Sequence, residues 1–156
     1  MAHLQYFSYA GVGERKRAQV HYNQAVRIGD RIETAGQCSL SHIFDPWSVA
    51  HDRHRRLGPE TGVVTTDLVK QIEQTFANVD LALRTAGGAG WREVYRVRIY
   101  YTRAIGSVEG LAALVAALRK WCPDHFPILT GVEVAGLANP GTEVEIEVAA
   151  HVLQQR

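Results

Sequence analysis

Much of what would place this 156-residue chain in a familiar class is missing from it. It has two cysteines, Cys38 and Cys122, far apart and without CxxC spacing. That argues against a disulfide scaffold and for a reduced, cytoplasmic setting. No apolar run is long enough to span a membrane, and Met1 to Gln19 mixes tyrosine, glycine and charge with no signal-peptide core. Net charge is +1, so no strong field gathers nucleic acid. There is no GxSxG elbow. Gly11-Val12-Gly13 shows no strand before it and no helix after it, so it reads as loop and not as a phosphate cradle. Gly87-Gly88-Ala89-Gly90 follows a helical pattern and lacks the Lys and Ser/Thr of a P-loop, so it reads as a cap and turn. His51 and His54 could share a helical face, but no further pair offers converging ligands, and no metal is expected. No internal repeat, low-complexity tract or second domain is visible, so residues 1–156 read as one domain.

What is present is a set of alternating and helical patterns. Val20 to Ile28 and Arg31 to Gln37 read as two strands joined at Gly29-Asp30, a hairpin signal. A long polar connection follows from Ser39 to Gly62, with a short helix possible around Trp47 to Arg56. Asp67 to Ala86 carries Leu68, Val69, Ile72, Phe76, Val79, Leu83 and Ala86 at three- and four-residue steps, the stripe of an amphipathic helix. Thr65, Thr66 or Asp67 can cap its start and Gly87-Gly88 its end. Val94 to Thr102 alternates, with Tyr95, Val97, Ile99 and Tyr101 on one face and Arg96, Arg98 and Tyr100 on the other. Ser107 can cap a second helix striped by Leu111, Leu114, Val115 and Leu118. Two closing strands, around Pro127 to Val134 and Glu143 to Ala150, give the order β-β-α-β-α-β-β, with room for an extra N-terminal strand. This predicts an α+β domain: a single mixed sheet with two helices on one face.

The last strand carries the sharpest candidate. Val144, Ile146, Val148 and Ala150 fall on one side, and Glu143, Glu145 and Glu147 on the other, roughly 6–7 Å apart along the strand. Such a row is either a solvated face or the lining of a polar cleft in which one carboxyl handles a proton. Cys38 reads as a small buried hydrophobe, since no base is assured beside it.

Several blocks, taken in order, resemble the YjgF family of reactive-intermediate (imine/enamine) deaminases. Tyr22 to Asp30 is similar to the family's first hairpin, Ala35-Gly36-Gln37 to its Ser-Gly-Gln, and Pro59-Glu60-Thr61-Gly62 to its Asp-Pro-x-Thr-Gly turn. Gln74 to Val79, Ala86-Gly87-Gly88, Trp91 to Val94 and the two closing segments complete a match across most of Tyr22 to Val152. The resemblance implies a chorismate-mutase-like fold and a homotrimer whose sheets form a central barrel. Small molecules would bind in clefts between subunits, without metal or organic cofactor. It implies a hydrolase or deaminase acting on an imine, enamine or related reactive carbonyl compound. Glu145 and Tyr22 match the family's glutamate and tyrosine by position, and these would be the catalytic pair. Ala35, Gly36, Gln37, Leu129, Thr130 and Arg98 would line or complete the substrate site.

The departures are specific. Leu129 stands where the family's substrate-binding arginine stands, and Ala35 where it has serine. A carboxylate arriving at Leu129 would be desolvated without a charge partner, so the resemblance implies a less acidic or bulkier substrate than a simple 2-imino acid. Any replacement cation would be sought first in Arg98 or among Arg53 to Arg56. The connection from 39 to about 58 is longer than the family loop and begins directly after Gly36. It is expected to wall the pocket, with Phe44 or Trp47 supplying apolar area. The alternative is a non-catalytic ligand-binding or regulatory trimer. Ribonuclease activity, reported for some relatives, is disfavoured by the near-neutral charge.

Overall fold

The computed structural model describes residues 3–40 and 64–152. Seven strands form one mixed sheet: β1 Leu4–Phe7, β2 Ala25–Ile28, β3 Arg31–Thr34, β4 Gln37–Cys38, β5 Val94–Tyr101, β6 Ile128–Glu133 and β7 Val144–His151. The order across the sheet is β1-β2-β3-β7-β5-β6, with β4 also on β7. β6 runs parallel to β5, and the other pairings are antiparallel. Three helices accompany the sheet: α1 Val12–Val20, α2 Leu68–Thr85 and α3 Val108–Trp121.

The predicted α+β single mixed sheet is present, but the described residues hold three helices where the sequence pattern indicated two. Gly11-Val12-Gly13 is not the isolated loop expected: β1 precedes it, Gly11 is the N-cap of α1, and Val12 and Gly13 are the helix's buried residues. Its sequence, Val-Gly-Glu-Arg-Lys-Arg-Ala-Gln-Val, has no apolar stripe, so periodicity could not reveal it. The helix therefore takes in Val20, and the first hairpin strand begins only at Ala25. The hairpin itself turns at Gly29-Asp30 as expected, with Ile28 paired to Arg31.

α2 has the predicted cap. The Asp67 carboxylate accepts from the Lys70 backbone N–H at 3.1 Å, a contact typically worth ~1 kcal/mol. At its other end Gly88 N–H donates to Leu83 O and Gly87 N–H to Arg84 O. This Schellman pair requires Gly87 at φ 82°, which glycine adopts without penalty. The buried face of α2 is Gln71, Ile72, Thr75, Phe76, Asn78, Val79, Ala82 and Leu83. Val69, expected on the stripe, is exposed. On α3 the inward residues are Gly110, Leu114 and Ala117, whereas Leu111 and Val115, expected inward, face out. Phe76 stacks on Trp91 at 4.6 Å between ring centroids, and the Trp91 indole N–H donates to Phe76 O at 2.9 Å. Burial and a satisfied polar handle thus coincide at the centre of the core.

Two irregularities in the sheet decide which side chains reach the cavities beside it. In β5 the pairing with β7 shifts between Val94 and Arg96. Tyr95 is thereby turned outward, 39% exposed beside Val94 at 1%, and does not share the inward face of Val97 and Ile99 as simple alternation predicted. Opposite β7, the register slips by one residue between Glu33↔Ala149 and Gln37↔Ile146. The Val148 N–H there donates to the Thr34 hydroxyl at 3.0 Å. Ala35 and Gly36 lie in this gap.

Candidate functional site

The row of three glutamates is split among three environments. Glu143 lies just ahead of β7; its carboxylate accepts from the Thr102 hydroxyl, and its backbone N–H donates to the Gln71 amide oxygen at 2.9 Å. Glu147 pairs with Arg98 at 2.8 Å on the open face of the sheet. There Glu33 also meets Arg31 and, at 3.7 Å, Arg96. Glu145 turns into a cavity of about 300 Å³ between α1, β4 and the start of β7.

That cavity gathers Tyr22, Ala35, Gly36, Gln37 and Glu145, five of the residues singled out from the sequence. Glu145 lies so close to Gly36 that a Cβ there would come within 2.6 Å of its Cδ. A side chain at position 36 would push the Glu145 carboxylate out of this position. Burial pushes the Glu145 carboxyl above its ordinary range, Glu147 adds to the rise, and Lys16 partly offsets it. Tyr22 is held in place by the end of α1, which His21 closes in the left-handed conformation at φ 63°. Burial also raises the Tyr22 phenol, while the Gln24 amide opposes the rise, so the hydroxyl is a neutral donor at physiological pH.

Sequence reasoning missed the other half of the lining. Lys16 and Val12 come from α1, the helix without periodicity; Asn78 comes from the buried face of α2, and Asn139 from the loop before β7. Asn78 Nδ2 donates to Cys38 O and Leu40 O at 2.7 and 2.8 Å, fixing the strand that carries Cys38. Tyr9 O–H donates to Gln37 Oε1 at 2.9 Å, and Gln37 Nε2 donates to Gln24 Oε1 and Ala35 O, each at 3.0 Å. Cys38 is buried as expected, although its sulfur reaches the cavity and accepts from Asn139 Nδ2 at 3.4 Å. Its thiol is pushed up, chiefly by burial, which keeps it protonated.

Leu129, Thr130 and Arg98 do not line this cavity. The first two lie on β6, every residue of which is exposed, and Arg98 is engaged by Glu147. A shallower cavity of about 370 Å³ shares Tyr22 and Ala35 with the first and runs along Tyr6, Val26 and Glu33. Most of the 39–58 connection, with Phe44, Trp47, Arg53 to Arg56 and the two histidines, lies outside the described residues; its start, Leu40, is buried and lines the cavity. Among the described residues no group of three or more His, Cys, Asp or Glu side chains could hold a metal. No described helix is long and apolar enough to cross a membrane.

A sequence profile of the Endoribonuclease L-PSP family matches residues 13–152. The fold is similar to that of Rv2704 from Mycobacterium tuberculosis, described as a member of the highly conserved YjgF/YER057c/UK114 family. There the TM-score is 0.68 at 24% identity, over 96% of this chain and 99% of that one. The protein YJGH gives a TM-score of 0.72 at 21% identity, over 98% and 99% of the two chains. Escherichia coli TdcF with bound serine gives 0.62 at 20% identity, over 83% and 87%. A comparison with curated protein sequences gave no match.

Proposed function

The chain belongs to the YjgF/YER057c/UK114 family, whose profile is that of Endoribonuclease L-PSP, and from that premise we propose that it hydrolyses a small reactive imine or enamine. The observation that carries the reading is Glu145, a carboxyl with a raised pKa, set against the Gly36 backbone and beside Tyr22 in one cavity. Such a group exchanges protons closer to neutrality than an ordinary carboxylate. In the proposed reaction Glu145 orients a water and takes its proton as the oxygen adds to the C=N carbon. That proton passes to nitrogen to give a carbinolamine; Glu145 then carries the new hydroxyl's proton to nitrogen as the C–N bond breaks, and a carbonyl compound and ammonia leave. Tyr22 donates a hydrogen bond to the substrate. Backbone N–H groups near Gly36, and near Thr130 of a neighbouring subunit, stabilise developing charge. No cofactor takes part.

The exposed β6 edge and the uncovered sheet face support a homotrimer, in which β6 of one subunit would bring Leu129 and Thr130 to the cavity of the next. Protonated, buried thiols at Cys38 and Cys122 suit a reducing cytoplasm. Apolar Leu129 and Ala35 favour a second reading, a trimer that binds a small ligand without turning it over. Ribonuclease activity fits less well, since the open-face arginines Arg31, Arg96 and Arg98 are already paired with glutamates.

The test is ammonia release from 2-imino acids generated in situ by an amino-acid oxidase, with side chains ranging from methyl to benzyl. Acceleration over buffer, growing with side-chain bulk and absent in Glu145→Gln, supports the enzyme. Saturable binding of the keto-acid products with no acceleration anywhere in the series would leave the ligand-binding reading. Salt-sensitive RNA cleavage would revive the ribonuclease reading.

A further inference from the structure

We propose that Lys16 of α1 holds the anionic end of the cavity's ligand, a small carboxylate, with the Gln24 side-chain amide as its second donor. The inference rests on the cavity being the ligand site of the proposed function. Lys16 is the one cationic side chain that lines it among the described residues. Its ammonium donates to Asn139 Oδ1 at 3.1 Å, and no carboxylate of a described residue lies within ion-pairing distance. An ammonium has three donors, so donors remain for a ligand. Its charge is felt inside the cavity, where it favours the ionised forms of both Glu145 and Cys38.

The second donor is left over by a chain of hydrogen bonds. The Tyr9 hydroxyl fixes the Gln37 amide by donating to its oxygen, and the Gln37 NH2 group then donates to Gln24 Oε1. That leaves the Gln24 NH2 group, in a residue only 3% exposed, with no hydrogen bond of good geometry; it faces the Tyr22 hydroxyl, and of its two N–H groups at least one is left for a ligand. Native structures rarely leave a buried donor unmade, and a bound acceptor would satisfy it. A carboxylate is acceptor-only and carries one negative charge, which one lysine can balance. A phosphate dianion would bring a second charge toward Glu145 with no second cation among the described lining residues to meet it. An amine would be repelled. The role sought in Arg98, which Glu147 engages, thus falls to a residue of the unforeseen helix.

The experiment titrates 15N-labelled protein with pyruvate and benzoate, and with the uncharged pyruvamide and benzamide. The expected result is saturable binding of the carboxylates, with shifts in the Gln24 side-chain amide, and weaker binding of the amides. In Lys16→Met the carboxylate Kd rises at least tenfold and the amide Kd does not, while Lys16→Arg restores most of the difference. Lys16 is only half-buried, so these variants are expected to fold, which circular dichroism checks. Equal binding of acid and amide, no binding of either at tens of millimolar, or an unchanged Kd in Lys16→Met overturns the inference. Glu145→Gln separates this outcome from the proposed function. It should lose turnover and keep the Lys16-dependent binding, whereas a failed Lys16 role beside Glu145-dependent turnover would leave the enzyme reading standing.

Discussion

Strands β6 and β7 both pair with β5 and are similarly rich in apolar residues, yet their environments are opposite. In β7, Val144, Ile146, Val148, Ala149 and Ala150 are all buried. In β6 every residue from Ile128 to Glu133 is exposed, and Phe126 just before it is 97% exposed. The difference lies in what covers each strand. α2 lies over β7, and a second strand protects it on each side, while among the described residues β6 ends the sheet with an open edge. A row of unpaired backbone groups beside exposed Ile128, Leu129 and Val132 is a surface that invites pairing. The candidate site divides along the same line. Tyr22, Gly36 and Glu145 sit together in the covered half, and Leu129 and Thr130 sit on the uncovered edge. On the proposed reading, one subunit would hold the proton-handling half and β6 of a neighbour would supply its missing wall.

The strongest way to break this comparison is to disable the covered half alone. Glu145→Gln keeps the shape and removes the acid–base function. Its turnover should fall about 10²–10⁴-fold, the usual scale for a positioned general acid or base, with oligomeric state unchanged by sedimentation. Turnover near that of the wild type would make Glu145 structural only. Gly36→Ala attacks the same half from the backbone side. The new methyl overlaps the Glu145 carboxylate, and a displacement of about 1 Å can cost roughly 10²-fold in rate. An active Gly36→Ala protein would mean that the carboxylate has another place to go.

A matched pair of core truncations sharpens the contrast between the strands. Ile146→Ala should lower unfolding stability by about 2–5 kcal/mol, the range for emptying a packed core position. Ile128→Ala should change the unfolding of an isolated subunit by no more than about 0.5 kcal/mol, as for other surface sites. If β6 docks on a neighbour, the same substitution instead shifts the concentration dependence of assembly in light scattering. Equal losses in monomeric protein would show that β6 is buried by something in its own chain.

The fold was legible where pattern and burial agree. The α2 stripe, its Asp67 cap, its Gly87 end and the Gly29-Asp30 hairpin all follow from local rules. The site was legible only in part. Glu145, Tyr22 and Gly36 stand at positions marked by family resemblance, whereas alternation alone could not separate Glu145 from Glu143 and Glu147. That separation depends on Gly36 passing behind one carboxylate and Arg98 engaging another. Lys16 was hidden because α1 is polar all round and is held by Val12 and Tyr9, which pack with Leu40 and Ala82, contacts that no periodicity encodes. Tyr95 was misplaced because a bulge breaks the two-residue repeat on which alternation depends.

The smallest expected effect concerns pH. The Glu145 carboxyl is raised in the folded chain, first by burial, so between its ordinary value and its folded value the folded state binds the proton and the unfolded state does not. Stability therefore falls as pH rises through that window, and above it the folded protein carries the full cost of an ionised, partly buried carboxylate. Glutamine has no such charge. The melting temperature of Glu145→Gln should match the wild type below the window, exceed it increasingly as pH rises, and hold a constant lead above it. Subtracting the two curves between about pH 4 and 8 removes the titration of every shared group, to the extent that the substitution leaves their environments unchanged. Cys38 and Tyr22, also raised, titrate above this range. Glu145 is only partly buried and feels the Lys16 charge at a distance, so the lead is a small one. Parallel curves across the range would mean that Lys16 already balances the carboxylate in the folded state. Lys16 would then be its partner and not the ligand's, and the division between the two halves of the site would have to be redrawn.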